Sequence, residues 1–483
     1  MIRDFIRHSA AYTVANLFSR GTVIVWLLVL PAFLSVADYG TLGVLTTFAA
    51  LFNVIVPLEV TQALARYTPG ANQEERRGLA SSAWKFTLAM LFVTAALAFA
   101  LAGPFTRLFL GSESNVSVVQ LALVWLVFNC AFYFVQAQQR WEFRSRDFVI
   151  SSIIFSIVTL VSSLGLAAIM DRPLAGVVIG QALGAAVGFG FGYLRMRGSL
   201  DGHFSGAILR KLLRFSLPLV PASLAILAST YANRLILVQM LGLEDVGLFT
   251  WATQLAAIPS ITVVGIQAAL TPLVMKNLHD PATPARLARL FETVIAIELC
   301  ICVALVLGTP YLIAFLGYDQ FESAPQLVAV AAPGLLFLQL YVFFPGFAVA
   351  GRTDLQLAVS LISGASVLVN FPLIAWLGVP GAALGTLITG SVFLLLWYAT
   401  SNRFYPVPLR YLKIMAFCAA TALGLYCAEA LSLSLLDLAI RIAILGGLVI
   451  AALLSGLVNP AIPRILISGG STDPGIPDGR DRV

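Results

Sequence analysis

The chain has 483 residues, of which 59% are hydrophobic and only 11% charged. Soluble domains carry about 25% charged residues, so a soluble enzyme or binding module is excluded. Apolar runs of about 20 residues recur from end to end and define an all-α polytopic membrane protein; the alternating segments of about 10 residues that build a membrane β-barrel are absent.

Residues 1–9 place Ile2, Phe5 and Ile6 on one helical face, away from Arg3 and Arg7, which predicts a short interfacial helix. About fourteen spans follow. They run near 10–34, 39–62, 86–103, 118–138, 148–170, 174–194, 215–241, 248–274, 291–316, 325–350, 355–377, 380–400, 410–430 and 438–458. The first apolar stretch is longer than a signal-peptide core, carries Arg20 midway and shows no cleavage pattern, so it is expected to remain as a span. Prolines interrupt many of these segments, among them Pro57, Pro218, Pro259, Pro333 and Pro372. The tail 459–483 is rich in Gly, Pro, Asp and Ser and is expected to be disordered.

Shifting the chain by about 207 residues lays its punctuation on itself. Asp38-Tyr39-Gly40 falls on Asp245-Val246-Gly247, Asp147 on Asp354, and Pro173 on Pro380. The segment from Pro104 through Phe109-Leu110-Gly111 to Gln120 falls, one residue out of step, on Pro310, Phe315-Leu316-Gly317 and Gln326. Six spans per copy give both copies the same orientation, the arrangement of parallel transporter repeats. The expected organisation is an N-lobe at 10–194, a linker on the cytoplasmic side at 195–214, a C-lobe at 215–400, two extra helices within 401–458, and a central cavity between the lobes.

Charge assigns the sides. Apart from Arg20 and Arg234 inside spans, and Arg107, Arg172 and Arg441 on the opposite face, every Lys and Arg lies at the termini or in the even-numbered connections. That bias predicts that both termini lie in the cytoplasm. It also accounts for the net charge of +6 without a nucleic-acid partner. The connections on the opposite face are short, with no cluster of His, Asp and Glu, so no catalytic residues are assigned. The five cysteines lie in apolar segments and the three histidines are scattered, so neither disulfides nor a metal centre is expected.

A charge at the bilayer centre costs at least about 2.5–3.5 kcal/mol, so polar residues within spans carry the functional expectations. Thr13, Asn16 and Arg20, with Ser9, form one stripe on span one; Thr230 and Arg234, with Ser216 and Ser223, form another on span seven. Both stripes are expected to line a hydrated cavity that binds substrate; the competing reading, for Arg234 above all, is snorkelling to the interface. Ser152, Ser156, Thr159 and Ser163 on span five recur as Val359, Ser363, Ser366 and Asn370 on span eleven. Two readings of these faces stand, cavity lining and close helix packing; Asn370 favours the cavity. Asn53 and Asn233 are further cavity candidates. Glu298 and Glu59 are the candidates for a coupling proton or sodium ion, although Glu59 also has Arg66 two turns on as a structural partner.

Three stretches carry a family likeness: Leu212–Leu224 (LLRFSLPLVPASL), Ala232–Ala256 (ANRLILVQMLGLEDVGLFTWATQLA) and Gly351–Gly390, in which Asn370 is followed by Gly378 and, after two intervening residues, by Gly381-Ala382-Ala383. Together with Ile313–Val328 they resemble the polysaccharide transporter family, whose members flip lipid-linked oligosaccharides and share a superfamily with multidrug and lipid II transporters. Many relatives have Asp where this chain has Asn233. The resemblance implies two six-helix bundles around an alternating cavity, no cofactor beyond a proton or sodium gradient, and an undecaprenyl-pyrophosphate-linked O-antigen or exopolysaccharide repeat unit as cargo. It implies membrane lipids, and the polysaccharide polymerase and chain-length machinery, as partners. A lipid II flippase, a cation-coupled multidrug antiporter and a membrane enzyme of lipid-linked sugar assembly are the alternatives.

Overall fold

The computed structural model describes residues 18, 21–110, 116–276, 280–429 and 433–458. Within them all regular structure is helical. Twelve helices are long and apolar enough to cross a membrane, or thirteen if one bent pair counts as a single span. The predicted first span lies outside the described residues before Gly21, apart from Phe18, and its remainder appears as α1 (Gly21–Ala32). The predicted interfacial helix 1–9 and the tail 459–483 lie outside them altogether.

The N-lobe is built from α1, α2 (Val36–Ile55), α3 (Val60–Tyr67), α4 (Gln73–Ala100), α5 (Ala102–Leu110), α6 (Val116–Trp141), α7 (Ser145–Ile169) and α8 (Pro173–Leu200). Helix α2 starts on a capping box. The Ser35 hydroxyl accepts from the Asp38 amide at 3.1 Å, and Asp38 accepts from the Ser35 amide at 3.3 Å. It ends seven residues before the predicted boundary. Pro57 removes a donor, and Leu58 and Glu59 take left-handed conformations with φ of 46° and 58°, so the chain re-enters a helix only at Val60. The linker at 195–214 is itself mostly helical: α8 continues to Leu200 and α9 (Gly206–Ser216) follows. Helix α9 packs on the N-lobe, where Phe215 meets Tyr67 edge-on with centroids 5.9 Å apart and Arg66 lies 4.6 Å above the Phe215 ring.

The C-lobe repeats the plan with α10 (Val220–Met240), α11 (Leu243–Ala256), α12 (Ser260–Lys276), α13 (Thr283–Leu316), α14 (Ala324–Phe337), α15 (Gly346–Ala350), α16 (Thr353–Ala365), α17 (Asn370–Leu377) and α18 (Val379–Ser401). Its second span is also broken at a proline: α11 and α12 meet at Pro259 with a bend of 52°. The extra pair, α19 (Tyr411–Glu429) and α20 (Leu435–Leu454), is anchored to α13. Glu292, 1% exposed, accepts from the Arg410 Nε at 2.8 Å and from the Arg410 amide at 2.9 Å. Arg410 also donates to the Gly456 carbonyl at 2.8 Å, and Thr293 to that of Leu457 at 2.8 Å.

The lobes meet backbone to backbone. A Cβ on Gly40 would stand 1.9 Å from the carbonyl oxygen of Leu243, and a Cβ on Gly247 would stand 1.9 Å from that of Val36. Three residues further along, a Cβ on Gly43 would stand 2.3 Å from the Thr250 hydroxyl. Val36 and Leu243, Gly40 and Gly247, and Gly43 and Thr250 are the same positions of the two copies. Helices α2 and α11 therefore cross on the pseudo-twofold axis, as identical elements do in a symmetric dimer. Around this crossing Trp251 donates to the Leu27 carbonyl at 3.3 Å and stacks on Phe321 at 4.7 Å, and Tyr318 donates to the Leu28 carbonyl at 2.8 Å. All of these contacts lie in the half of the bundle away from the arginine-rich connections.

Replacing Gly40 with alanine forces a methyl into a backbone oxygen, an overpacking expected to cost about 1–3 kcal/mol. Gly190→Ala, in α8 with nothing within 4 Å of the added carbon, is the control and is neutral or stabilising. Thermal unfolding in detergent should show a lower Tm for the first variant only; equal melting of the two would contradict the crossing.

Candidate functional site

Arg234 stands on α10 and reaches into the other lobe. Its Nη1 donates to the Thr46 hydroxyl of α2 at 3.3 Å, and that hydroxyl in turn donates to the Gly43 carbonyl at 2.9 Å. The guanidinium lies 5.4 Å from the centroid of the Tyr231 ring, one turn earlier on its own helix. Beside it Tyr39, fully buried, donates to the Gln254 side chain at 3.3 Å across the same seam. Among the described residues no carboxylate lies within ion-pair distance of Arg234. A half-buried guanidinium with five donors and one hydroxyl partner has donors left for an anion, and its planar fork suits phosphate oxygens. Thr230, one turn back on the same face, is exposed, with its hydroxyl returned to the Ile226 carbonyl at 3.1 Å.

The other predicted residues divide differently. Thr13, Asn16 and Arg20 lie outside the described residues. Asn53 donates to Asn129 of α6 at 3.2 Å, a contact within the N-lobe. Asn233 and Asn370, expected to line the cavity, are instead 5% and 2% exposed and hydrogen-bonded to each other at 2.5 Å. Asn233 also donates to the Thr386 hydroxyl at 3.0 Å and the Ala382 carbonyl at 3.2 Å, so this trio ties α10, α17 and α18 together. Ser363 is 2% exposed.

The hydroxyl faces of α7 and α16–α17 pack in both lobes, and the physical reason is the glycine facing each one. A Cβ on Gly180 would lie 2.3 Å from the Ser163 amide, and one on Gly184 1.9 Å from the Thr159 hydroxyl. In the second copy a Cβ on Gly385 would lie 2.0 Å from Asn370. The serines fill the room that missing side chains leave on the neighbouring helix.

The two acidic candidates also part. Glu59 is 8% exposed at the start of α3, and its expected ion pair with Arg66 is absent because Arg66 stacks on Phe215. Glu298, 2% exposed near the middle of α13, meets the Thr262 hydroxyl of α12. Thr46, Tyr231, Gln254 and Thr262 are not among the residues that sequence reasoning singles out. Tyr231, three residues before Arg234, and Thr262, three residues after a mid-span proline, have positional signals; Thr46 and Gln254 depend on how the lobes meet. A separate cavity of about 400 Å³ is lined by Arg289, Glu292, Thr293 and Arg410. Its Arg410 is already closed on Glu292, so it belongs to the anchor of the extra helices.

Two lobes of parallel repeats crossing on a shared axis, with a cationic group at the seam, are the architecture seen in multidrug transporters and lipid flippases. The chain is similar in fold to a lipid II flippase, MurJ, in its inward closed conformation (TM-score 0.69, 12% identity, 93% of this chain and 98% of that one covered). It is also similar to an inward-facing MATE-family multidrug transporter of the MOP superfamily (0.57, 15%, 81% and 95%) and to the MATE multidrug transporter DinF-BH (0.58, 15%, 84% and 96%). The search of curated proteins gives no match. The model of the polysaccharide biosynthesis protein family matches residues 5–278, and the chain belongs to that family.

Removing the Asn370 amide leaves the Asn233 oxygen without its buried donor. Asn370→Ala is expected to cost about 1–3 kcal/mol. The double variant with Asn233→Ala should cost clearly less than the sum of the two. Additive losses in a denaturation cycle would separate the two residues.

Proposed function

We propose that this protein moves an oligosaccharide carried on undecaprenyl pyrophosphate from the cytoplasmic to the outer leaflet by alternating access, serving O-antigen or exopolysaccharide assembly. The observation that carries the reading is Arg234, a guanidinium at the interlobe seam whose described partners are one hydroxyl and one aromatic ring. An anion-binding group in a low-dielectric seam suits a pyrophosphate far better than a cationic drug, which would call for a carboxylate there. Family membership adds the glycan. The isoprenoid remains in lipid, and an apolar groove of about 310 Å³ between α13 and α20, lined in part by Ile297, Cys300, Leu445 and Val449, offers it a surface. With the termini in the cytoplasm, as the charge bias has it, the Gly40–Gly247 crossing closes the outer side and the conformation is one that receives cargo from inside. Arg20, from the matching helix of the other lobe, is the proposed second cationic group.

A second reading, lipid II as cargo, draws on the MurJ likeness, which extends over 93% of the chain. A lipid-linked pyrophosphate would engage the same arginine, so the two readings differ in glycan and pathway, not in anchor chemistry.

In a strain lacking its own copy, the wild-type gene should restore surface polysaccharide. At equal abundance in the membrane, Arg234→Ala should lower output about ten- to hundred-fold, the loss of one charge-assisted contact of about 1.5–3 kcal/mol. Arg234→Lys should retain part of it. Full output from the alanine variant would overturn the assignment; rescue of peptidoglycan synthesis with no effect on surface polysaccharide would favour lipid II.

A further inference from the structure

We propose that Glu298 is a proton-binding site that couples an ion gradient to movement at the α11–α12 break; as a coupling site it rests on the transport function above. The carboxyl is 2% exposed, about midway along the 34-residue α13. One oxygen meets the Thr262 hydroxyl and the other has no hydrogen-bond partner. Among the described residues no cation lies within ion-pair distance of it. Cys302 lies one turn on along the same helix. From α12 the polar group in contact is Thr262; Gln267, further along, donates to the Tyr341 hydroxyl at 3.3 Å. Helix α14 brings no titratable residue, and α19 brings Cys418. The acids of α11, Glu244 and Asp245, stand at its far end. Lys413 donates to the Ser455 carbonyl at 2.7 Å, and Arg441 of α20 to that of Leu307 at 3.0 Å. Leu307 is nine residues from Glu298, about 13 Å along the helix.

Proton counting favours a neutral carboxyl. The Thr262 hydroxyl faces two acceptors, Glu298 and, at 2.9 Å, the Pro259 carbonyl at the break. A hydroxyl has one proton. Both contacts are satisfied together only if Glu298 carries a second, so that Glu298 O–H donates to Thr262 and Thr262 O–H donates to Pro259. An ionised Glu298 would be a buried charge with one hydroxyl donor and no cation beside it, and it would draw the Thr262 proton off the Pro259 carbonyl. Thr262 is exposed while Glu298 is not, so the route for a proton to the carboxyl runs by way of that hydroxyl. Loading holds the 52° bend between α11 and α12; release to water frees the carbonyl at the bend. Because α11 is the helix that crosses α2 at Gly247, a change of bend acts on the interlobe seam.

The test uses the full-length protein in nanodiscs. Infrared difference spectra should show a protonated-carboxyl band that disappears as pH is raised in the wild type and is absent in Glu298→Gln, whose amide mimics the protonated form. Amide hydrogen exchange across 257–267, corrected for intrinsic rates, should lose protection in the wild type when the band vanishes and keep it in the variant. In the complemented strain, Glu298→Gln should lower polysaccharide output at least tenfold at equal abundance. Absence of the band, displacement of the proton by sodium at constant pH, or full output from the variant overturns the proposal. Failure of the wild type to restore polysaccharide strikes the transport reading instead, because the infrared band does not depend on cargo.

Discussion

The contact between α2 and α11 at Gly40 and Gly247 governs how the two copies can sit. Each glycine lies under the carbonyl oxygen of the other copy's first turn, at 1.9 Å from where its Cβ would be. Two helices approach that closely only where both lack side chains. The approach falls on repeat-equivalent residues, so the surface must be complementary to itself. One duplicated helix start therefore supplies both halves of the closure. Trp251, Tyr39 and Phe321 then fill the space beside the axis, and Arg234 is delivered to Thr46 a little deeper along the same seam.

The duplication is legible because it is written in residues that are hard to replace. Gly40 and Gly247 are among the matches that reveal the repeat, and their reason is the crossing. Span positions are legible from apolar runs, and where the boundaries shift the cause is local. Helix α2 stops at Ile55 because Pro57 and two left-handed residues follow. The span predicted to begin at residue 86 opens at Gln73 because Asn72 and Glu75 form a capping box, the amide of Glu75 meeting the Asn72 side chain at 2.9 Å. That box extends the helix beyond the apolar run that marks the membrane.

The site is less legible, since a stripe of hydroxyls on a helix is compatible with water and with a close neighbour alike. What separates the two is the opposing helix. Ser163 and Thr159 meet Gly180 and Gly184, and Asn370 meets Gly385, so both copies use the stripe for packing. The facing glycines lie on a different span, and no periodicity along one helix discloses them. Asn233 shows the same limit from the other side. Its position beside Arg234 suggests a shared cavity, yet neighbouring residues on a helix point about 100° apart, and the structure turns one inward to Asn370 and the other across the seam to Thr46.

Helix α13 carries two buried acids six residues apart, and their fates differ for a physical reason. Glu292 lies near the end of its helix where an arginine can reach it, and the Arg410 backbone amide and guanidinium both donate to it. Three charge-assisted donors from one residue offset the desolvation of the carboxylate, so the acid serves as a fixed tie for α19 and α20. Glu298, about two turns deeper, faces only a threonine hydroxyl. A hydroxyl cannot neutralise a carboxylate, but it can accept a proton from a carboxylic acid and pass its own to a carbonyl. The first arrangement is stable when charged and the second when neutral. A membrane helix that needs one rigid anchor and one group able to change its charge can obtain both from glutamate, with the partner deciding which is which.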